Sequence, residues 1–281
     1  YPEAAAAEGI VSMVSVPMSV KGLVIGVMRL YTGKKRKFDA GELNFAEALA
    51  AIGAIAIENA KMYESVKKDY QDVMNAMFAS FNEGAYPAAI VNMLNVKYIL
   101  SLFPLFREGS PFPLVLRQGN ASIYENPDAL PRVYCVDAYR VLPKGQALAA
   151  LRAADFDPSR EAIVSEEPSI RPVSAAGSSA RIVEYGPNAI AIAAHAEQPC
   201  ILVVSEIAYP DWHATVDGLE TPILTANYCL RAVPLDRGDH EIRMRFSSGV
   251  LRASLIISIV CFAAAALVPA VQGIGTAKRK G

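Results

Sequence analysis

No proline interrupts the chain between Pro17 and Pro87, and within that interval one heptad seam runs for about five repeats. Phe45, Leu49, Ile52, Ala56, Asn59, Tyr63, Val66, Tyr70, Val73 and Met77 recur at alternating spacings of four and three. Proline would remove a ladder hydrogen bond and clash with the preceding turn, so this stretch is free to form a single helix. Asp39 followed by Glu42 three residues later has the form of a capping box. One helix is therefore predicted from about Ala40 to Phe81, its first half packed on a sheet. Its second half, from about Tyr63, outruns any small sheet. Two arrangements remain open. The helix can lie along its own chain, or it can form a homodimer through residues 45–77, with Asn59 as the polar position that sets register.

The residues before the helix read as strands. "IVSMVSVPM" and "GLVIGVMRLYT" are rich in β-branched residues, and Lys21-Gly22 between them suits a tight turn. Gly22 is placed for a positive φ, and Gly26 for a bulge or a close contact. The basic run in "GKKRKFDAGE" is expected to be a solvated loop. In order, "VPM", "GLVIGVMRLY", "FDAGEL" and "AIAIENAKMYE" resemble the C-terminal half of a GAF domain over residues 8–64. The resemblance implies an α+β sensor module, of a kind that often dimerises through terminal helices. The family's opening helix and earlier strands, which help to build its ligand pocket, have no counterpart here. No ligand-binding residue is carried over.

Past Gly84 and Pro87 the pattern changes. Residues 84–179 read as an irregular α/β segment, in which "AIVNMLNVKYILSLFPLF" is broken by Asn92, Asn95, Lys97 and Pro104 and suits a strand or short helix. Residues 180–249 read as a β-sandwich-like domain. Its short runs are separated by turn residues, Asp217-Gly218 suits a type I′ hairpin, and Ile242, Met244 and Phe246 alternate with Arg243 and Arg245. "MLNVKYIL", "YENPDALPRVY", "RIVEYGPNAIAI", "VVSEIAYPDWHATVDG", "TPILTANYCLRAVPL" and "GDHEIRMRF" are similar to the C-terminal part of YfhO-like bacterial membrane proteins, over about residues 86–272. That resemblance implies an extracytoplasmic β-rich part followed by a final transmembrane helix. It also implies a link to glycosylation of cell-envelope polymers. The many-helix core that would hold such a family's active site has no counterpart here.

From Ala253 to Val271 there is no charged residue. A helix of that length spans roughly 28 Å, close to a hydrocarbon core of about 30 Å. One transmembrane helix is expected over 250–272, then a basic tail over 273–281. The lipid bilayer is thus an expected partner. Lys278, Arg279 and Lys280 follow the run, while Arg243, Arg245 and Arg252 precede it, so the flanking charge gives only a weak lean. The resemblance implies a β domain outside a bacterial cell membrane and a cytoplasmic tail. The overall fold class is α+β: a partial GAF-like antiparallel sheet with a long helix over 1–83, then the sandwich-like domain and the C-terminal helix. The chain begins at Tyr1 in mid-pattern. With the break near Glu83 to Tyr86, it reads as a fragment in which two families are joined.

Net charge is −1, which gives no field to recruit nucleic acid. The histidines His195, His213 and His240 stand apart in sequence. No HExxH, GxSxG, phosphate loop or EF-hand spacing occurs. Asp211, His213 and Asp217 form the one tempting cluster, and a structural role suits them better than metal or general-base work. The pairs Glu166–Glu167 and Asp155–Asp157 read as linker and turn. No catalytic residue, metal ligand or cofactor is expected within the chain. Cys135, Cys200 and Cys229 read as core residues, with their pairing open. Tyr209 and Trp212 are the candidate binding residues, able to pack or to face an envelope glycan. The expected function is a non-catalytic, membrane-anchored module of a YfhO-like glycosyltransferase-type protein. The alternative is a GAF-containing sensor that dimerises through its helix.

Overall fold

The computed structural model describes residues 7–82, 86–102 and 110–249, together with Leu255 and Ile259. It divides into two compact units, one of Tyr1–Glu64 with Ser248–Gly281 and one of Ser65–Ser247. The expected transmembrane helix over 250–272, apart from Leu255 and Ile259, and the basic tail lie outside the described residues.

In the first unit, β1 (Ser12–Val20) and β2 (Leu23–Thr32) form an antiparallel hairpin. Lys21 and Gly22, at φ 49° and 81°, make the two-residue turn whose positive φ angles match strand twist. The register shifts after Met18, which lies opposite Gly26. A Cβ added at Gly26 would stand 3.7 Å from Met18 Sδ, an ordinary van der Waals contact, so the bulge does not itself require glycine there. Helix α1 (Ala40–Asn82) follows. Its start is a reciprocal capping box: the Glu42 amide donates to Asp39 Oδ1 at 2.8 Å, and the Asp39 amide to Glu42 Oε2 at 3.0 Å.

The helix meets the hairpin through a different face from the one expected. Val14, Val16, Met18, Met28 and Leu30 pack against Ala46 and Ala50, whereas Phe45 and Leu49 of the seam are 64% and 39% exposed. Small residues let the helix axis come close to the sheet. A Cβ placed at Gly53 would already stand 3.0 Å from Met18 Cε. A face of Phe and Leu would hold the helix further off. Of the seam, Phe45, Leu49, Ala56 and Tyr63 are left in solvent, while Ile52 and Asn59 are half-buried.

The second unit is a two-sheet β-sandwich with helices on one side. One sheet has the order β13-β12-β16-β10-β9, from Leu219–Thr221, Trp212–Val216, Gly238–Phe246, Ala189–Ala196 and Ser179–Gly186. The other runs β6-β11-β15-β14-β8-β7, from Val133–Val136, Cys200–Ile207, Leu230–Leu235, Leu224–Ala226, Glu161–Val164 and Ala138–Val141. A small sheet β3-β5-β4 (Tyr98–Ser101, Ala121–Glu125, Leu114–Gln118) completes it.

Strand β11 shows how two cores arise. Cys200, Leu202 and Val204 face the core shared with Ile192, Ile242 and Met244. Ile201 and Val203 face a second core with Val73 and Met77 of α1, Ile90 and Met93 of α2 (Ala88–Met93) and Leu151 of α3 (Lys144–Leu151). Because the strand is buried on both faces, it reads as an unbroken apolar run.

Two boundaries differ from the sequence reading. Strands β6, β7 and β8 belong to the stretch assigned to the irregular segment 84–179, yet they complete the sandwich sheet. Each has only four residues, too few for a period to show. The sequence reading also keeps the whole helix in a part over 1–83, whereas its residues 65–82 belong to the second unit, where Asp72 accepts the Tyr228 hydroxyl at 2.9 Å and Val73, Ala76 and Met77 enter the core. Elsewhere pattern and structure agree. Asp217 and Gly218 have positive φ between β12 and β13, and Ile242 and Met244 are fully buried between exposed Arg243 and Arg245.

Among the described residues, α1 is the one helix that is long and apolar enough to cross a membrane by length and composition.

Candidate functional site

Trp212 opens β12 and lies opposite Phe246 in β16. Their ring centroids are 6.0 Å apart at 57°, and Tyr209 approaches the same Phe246 ring at 5.9 Å and 55°. Asp211 adopts φ 66° just before the strand, and its carbonyl accepts the Ser247 amide at 2.8 Å. This kink and clamp fix where the indole emerges. Tyr209 and Trp212 are thus brought into one aromatic group, each half-buried.

Sequence reasoning missed a fourth member beside Tyr209, Trp212 and Phe246. Arg231 in β15 places its guanidinium carbon 3.8 Å from the Trp212 ring centroid. The residue is only 4% exposed. Its Nε donates to the Ile207 carbonyl at 2.9 Å, while its buried Nη1 has no hydrogen-bond partner. Burial pushes its pKa down to about 10, with the Glu206 charge acting in the opposite direction, so it stays cationic at neutral pH. A buried cation is costly unless paired, and the indole face supplies part of the compensation. The arginine sits within the motif "TPILTANYCLRAVPL", but nothing in the local pattern marks it as inward-facing.

A β-bulge places the neighbouring polar groups. The β11–β15 register shifts between Val204 and Ile207, and the Ser205 amide turns to the Arg132 carbonyl at 2.8 Å. Glu206 then accepts the Tyr185 hydroxyl at 2.7 Å and pairs with Arg132 Nε at 3.2 Å. The Glu206 hydrogen bond raises the pKa of Tyr185. Trp212 also lines a groove of about 340 Å³ with His213, Glu220, Thr221 and Pro222. The indole and the polar side chains of His213, Glu220 and Thr221 in this groove can stack on a ring and exchange hydrogen bonds with its rim. None is arranged as a nucleophile with its base.

The Asp211–His213–Asp217 cluster is not assembled around His213. Asp217 Oδ2 instead meets His240 Nδ1 at 2.7 Å, and its other oxygen accepts the Glu241 amide at 2.8 Å. His240 Nε2 donates to the Asp236 carbonyl at 2.8 Å. Two acceptors on one ring favour imidazolium. Burial opposes this, but the Asp217 and Asp236 hydrogen bonds prevail and raise the pKa. Asp217 is correspondingly lowered, chiefly by the Glu241 amide and then by His240. His195 likewise lies between Asp239 at 2.7 Å and Glu197 at 3.3 Å, which raise it. The β10–β16 register pairs His195 with Asp239, an encounter that sequence spacing does not reveal. Among the described residues no group of three or more His, Cys, Asp or Glu side chains converges to hold a metal ion.

Cys135, Cys200 and Cys229 are free thiols. Cys135 and Cys200 project from adjacent strands into the same core, and a hydrogen bond to Cys200 together with burial pushes the Cys135 thiol up. Burial raises Cys229 to about 12.

Fold and site together define a mixed α+β chain: a sheet-and-helix unit and a sandwich with an aromatic–arginine surface site. Residues 1–58 match the GAF domain family model. No curated protein and no solved structure matches the chain.

Proposed function

We propose that this chain is a non-catalytic, membrane-anchored binding module of the YfhO-like type that carries a GAF-like region at its N-terminus. The observation that carries the reading is the Trp212–Arg231 stack beside Tyr209 and Phe246. A half-buried indole with polar groove neighbours suits the apolar face and hydroxyl rim of a sugar ring. In this reading the β domain faces envelope glycans outside the cell, residues 250–272 contact the bilayer, and the tail is cytoplasmic. Trp212 is the sole tryptophan, so its emission reports directly on the site. Titration with N-acetylglucosamine oligomers and with an oligouronide should give a saturable change for at least one of them. Trp212→Ala should abolish retention of that oligosaccharide on an affinity column while circular dichroism stays native. If neither probe changes the emission or is retained, the glycan reading fails.

A second reading is a GAF-type sensor that dimerises through α1. It is favoured by the exposed seam residues Phe45, Leu49 and Tyr63 and by the GAF match over residues 1–58. Sedimentation of the full chain in detergent tests it: Phe45→Glu with Leu49→Glu should convert dimer to monomer. A monomeric parent chain would exclude it.

A further inference from the structure

The second unit contains a cavity of about 740 Å³ on the helical side of the sandwich, separate from the Trp212 groove. That volume is in the range of small-molecule sites, roughly 300–1,000 Å³. Its inner wall is built from core residues: Met77, Val91 and Leu230 are 8%, 0% and 2% exposed. These belong to α1, α2 and β15, so three separate elements hold the wall in place. Met74 and Met77 add flexible, polarisable surface able to follow an irregular chain. The rim is unusual for a protein surface. Phe78, Tyr98 and Leu100 line the cavity and are 53%, 60% and 67% exposed. Apolar side chains in water around an apolar hole are what an aliphatic chain entering it would cover.

The polar groups select the other end of the ligand. Arg132 and Glu206 also line the cavity, paired at 3.2 Å. The Ser205 hydroxyl there is committed to the Met93 carbonyl at 2.9 Å. A carboxylate or phosphate head seated on Arg132 would meet Glu206 as a like charge, and an ammonium head seated on Glu206 would meet Arg132. A hydroxyl can accept from the guanidinium and donate to the carboxylate at once. We propose that this cavity binds the aliphatic chain of a neutral amphiphile whose hydroxylated head is read by Arg132 and Glu206. The site is independent of the glycan reading of Trp212, and its ligand class is that of alkyl glycosides and monoacylglycerols.

The test uses the full chain in phosphatidylcholine nanodiscs, so that ordinary bilayer lipid competes in every sample. A dodecyl glucoside carrying a diazirine on its chain is photolysed with the protein, and the labelled peptides are mapped by mass spectrometry. Labelling is expected within residues 70–78 or 94–102. Excess dodecyl glucoside should reduce it at least tenfold, and dodecanoate or dodecyltrimethylammonium less than twofold. Met74→Trp, which fills the cavity, should lower labelling about tenfold. Leu94→Phe serves the same purpose should the first variant fail to fold. Glu206→Gln should weaken competition by dodecyl glucoside. Equal competition by all three amphiphiles would overturn the head-group assignment, and labelling unchanged in a folded cavity-filling variant would overturn the site. Neither result bears on oligosaccharide binding at Trp212, which is read by different probes.

Discussion

The Arg231 guanidinium lies 3.8 Å from the centre of the Trp212 ring, and its Nε is held by the Ile207 carbonyl. Two sheets meet through this contact, since Arg231 belongs to β15 in one and Trp212 to β12 in the other. The indole is therefore positioned by a cation from the opposite layer as well as by its own strand. A double-mutant cycle with Trp212→Leu and Arg231→Met should give a coupling of about 1–2 kcal/mol, as for a largely desolvated cation–π pair. Additive effects in urea unfolding would show that the contact carries no energy of its own.

The His240–Asp217 pair makes stability depend on pH in two directions. His240 is raised, so its contribution is full below the ordinary histidine pKa of about 6.5 and is lost as pH rises through the folded value. Asp217 is lowered, so its contribution is present above the ordinary aspartate value of about 3.9 and is lost as pH falls through the folded one. The pair should stabilise most between those limits. The gap in urea midpoint between the parent chain and His240→Gln should be widest near pH 5–6 and close towards pH 8. A gap that does not vary with pH would refute the coupling.

Packing on the hairpin side of α1 predicts an asymmetry between neighbouring residues. Ala50→Leu forces a larger side chain against Val16 and Met28 and should cost about 1–3 kcal/mol. Phe45→Ser, on the exposed seam, should change the stability of a monomer by less than about 0.5 kcal/mol. Thermal unfolding at low protein concentration compares the two. A larger loss for Phe45→Ser than for Ala50→Leu would mean that the seam is covered.

The Tyr228 hydroxyl, bonded to Asp72 at 2.9 Å, anchors the end of α1 to the sandwich unit. Tyr228→Phe should cost about 1–2 kcal/mol, because it leaves a half-buried carboxylate short of a donor. Hydrogen exchange should quicken first at amides of residues 70–80. Uniform acceleration across the sandwich would instead indicate a global effect.

Cys229 is buried and its thiol pKa is raised to about 12, so at pH 8 it carries almost no thiolate. Iodoacetamide should modify it only after denaturation, and Cys135, whose thiol is also pushed up by the Cys200 hydrogen bond and burial, should stay unmodified in the native chain as well. Native labelling of Cys229 as fast as that of a free thiol would contradict the packing.

Local chemistry is what the sequence carried well. The Asp39–Glu42 box, the proline-free run and the Lys21-Gly22 and Asp217-Gly218 turns each act within a few residues, and α1 begins at Ala40 as those signals require. The period-two pattern of β16 also survived, because one face is buried and one is wet. Which face of α1 meets the sheet was not legible, since hydrophobicity favours Phe45 and Leu49 while close approach favours Ala46 and Ala50. Strands β6 and β8 were too short to declare themselves, and they are recognised only by pairing with β11 and with β7 and β14. Tyr209 and Trp212 could be chosen from sequence as aromatics beside a turn. Arg231, Glu206 and Tyr185 could not, because they come from three strands brought together by a bulge and a sheet register. A local rule reports what a residue prefers within its own segment. Only the folded packing decides which distant residue lies against it, because that choice is made by burial and register over the whole layer.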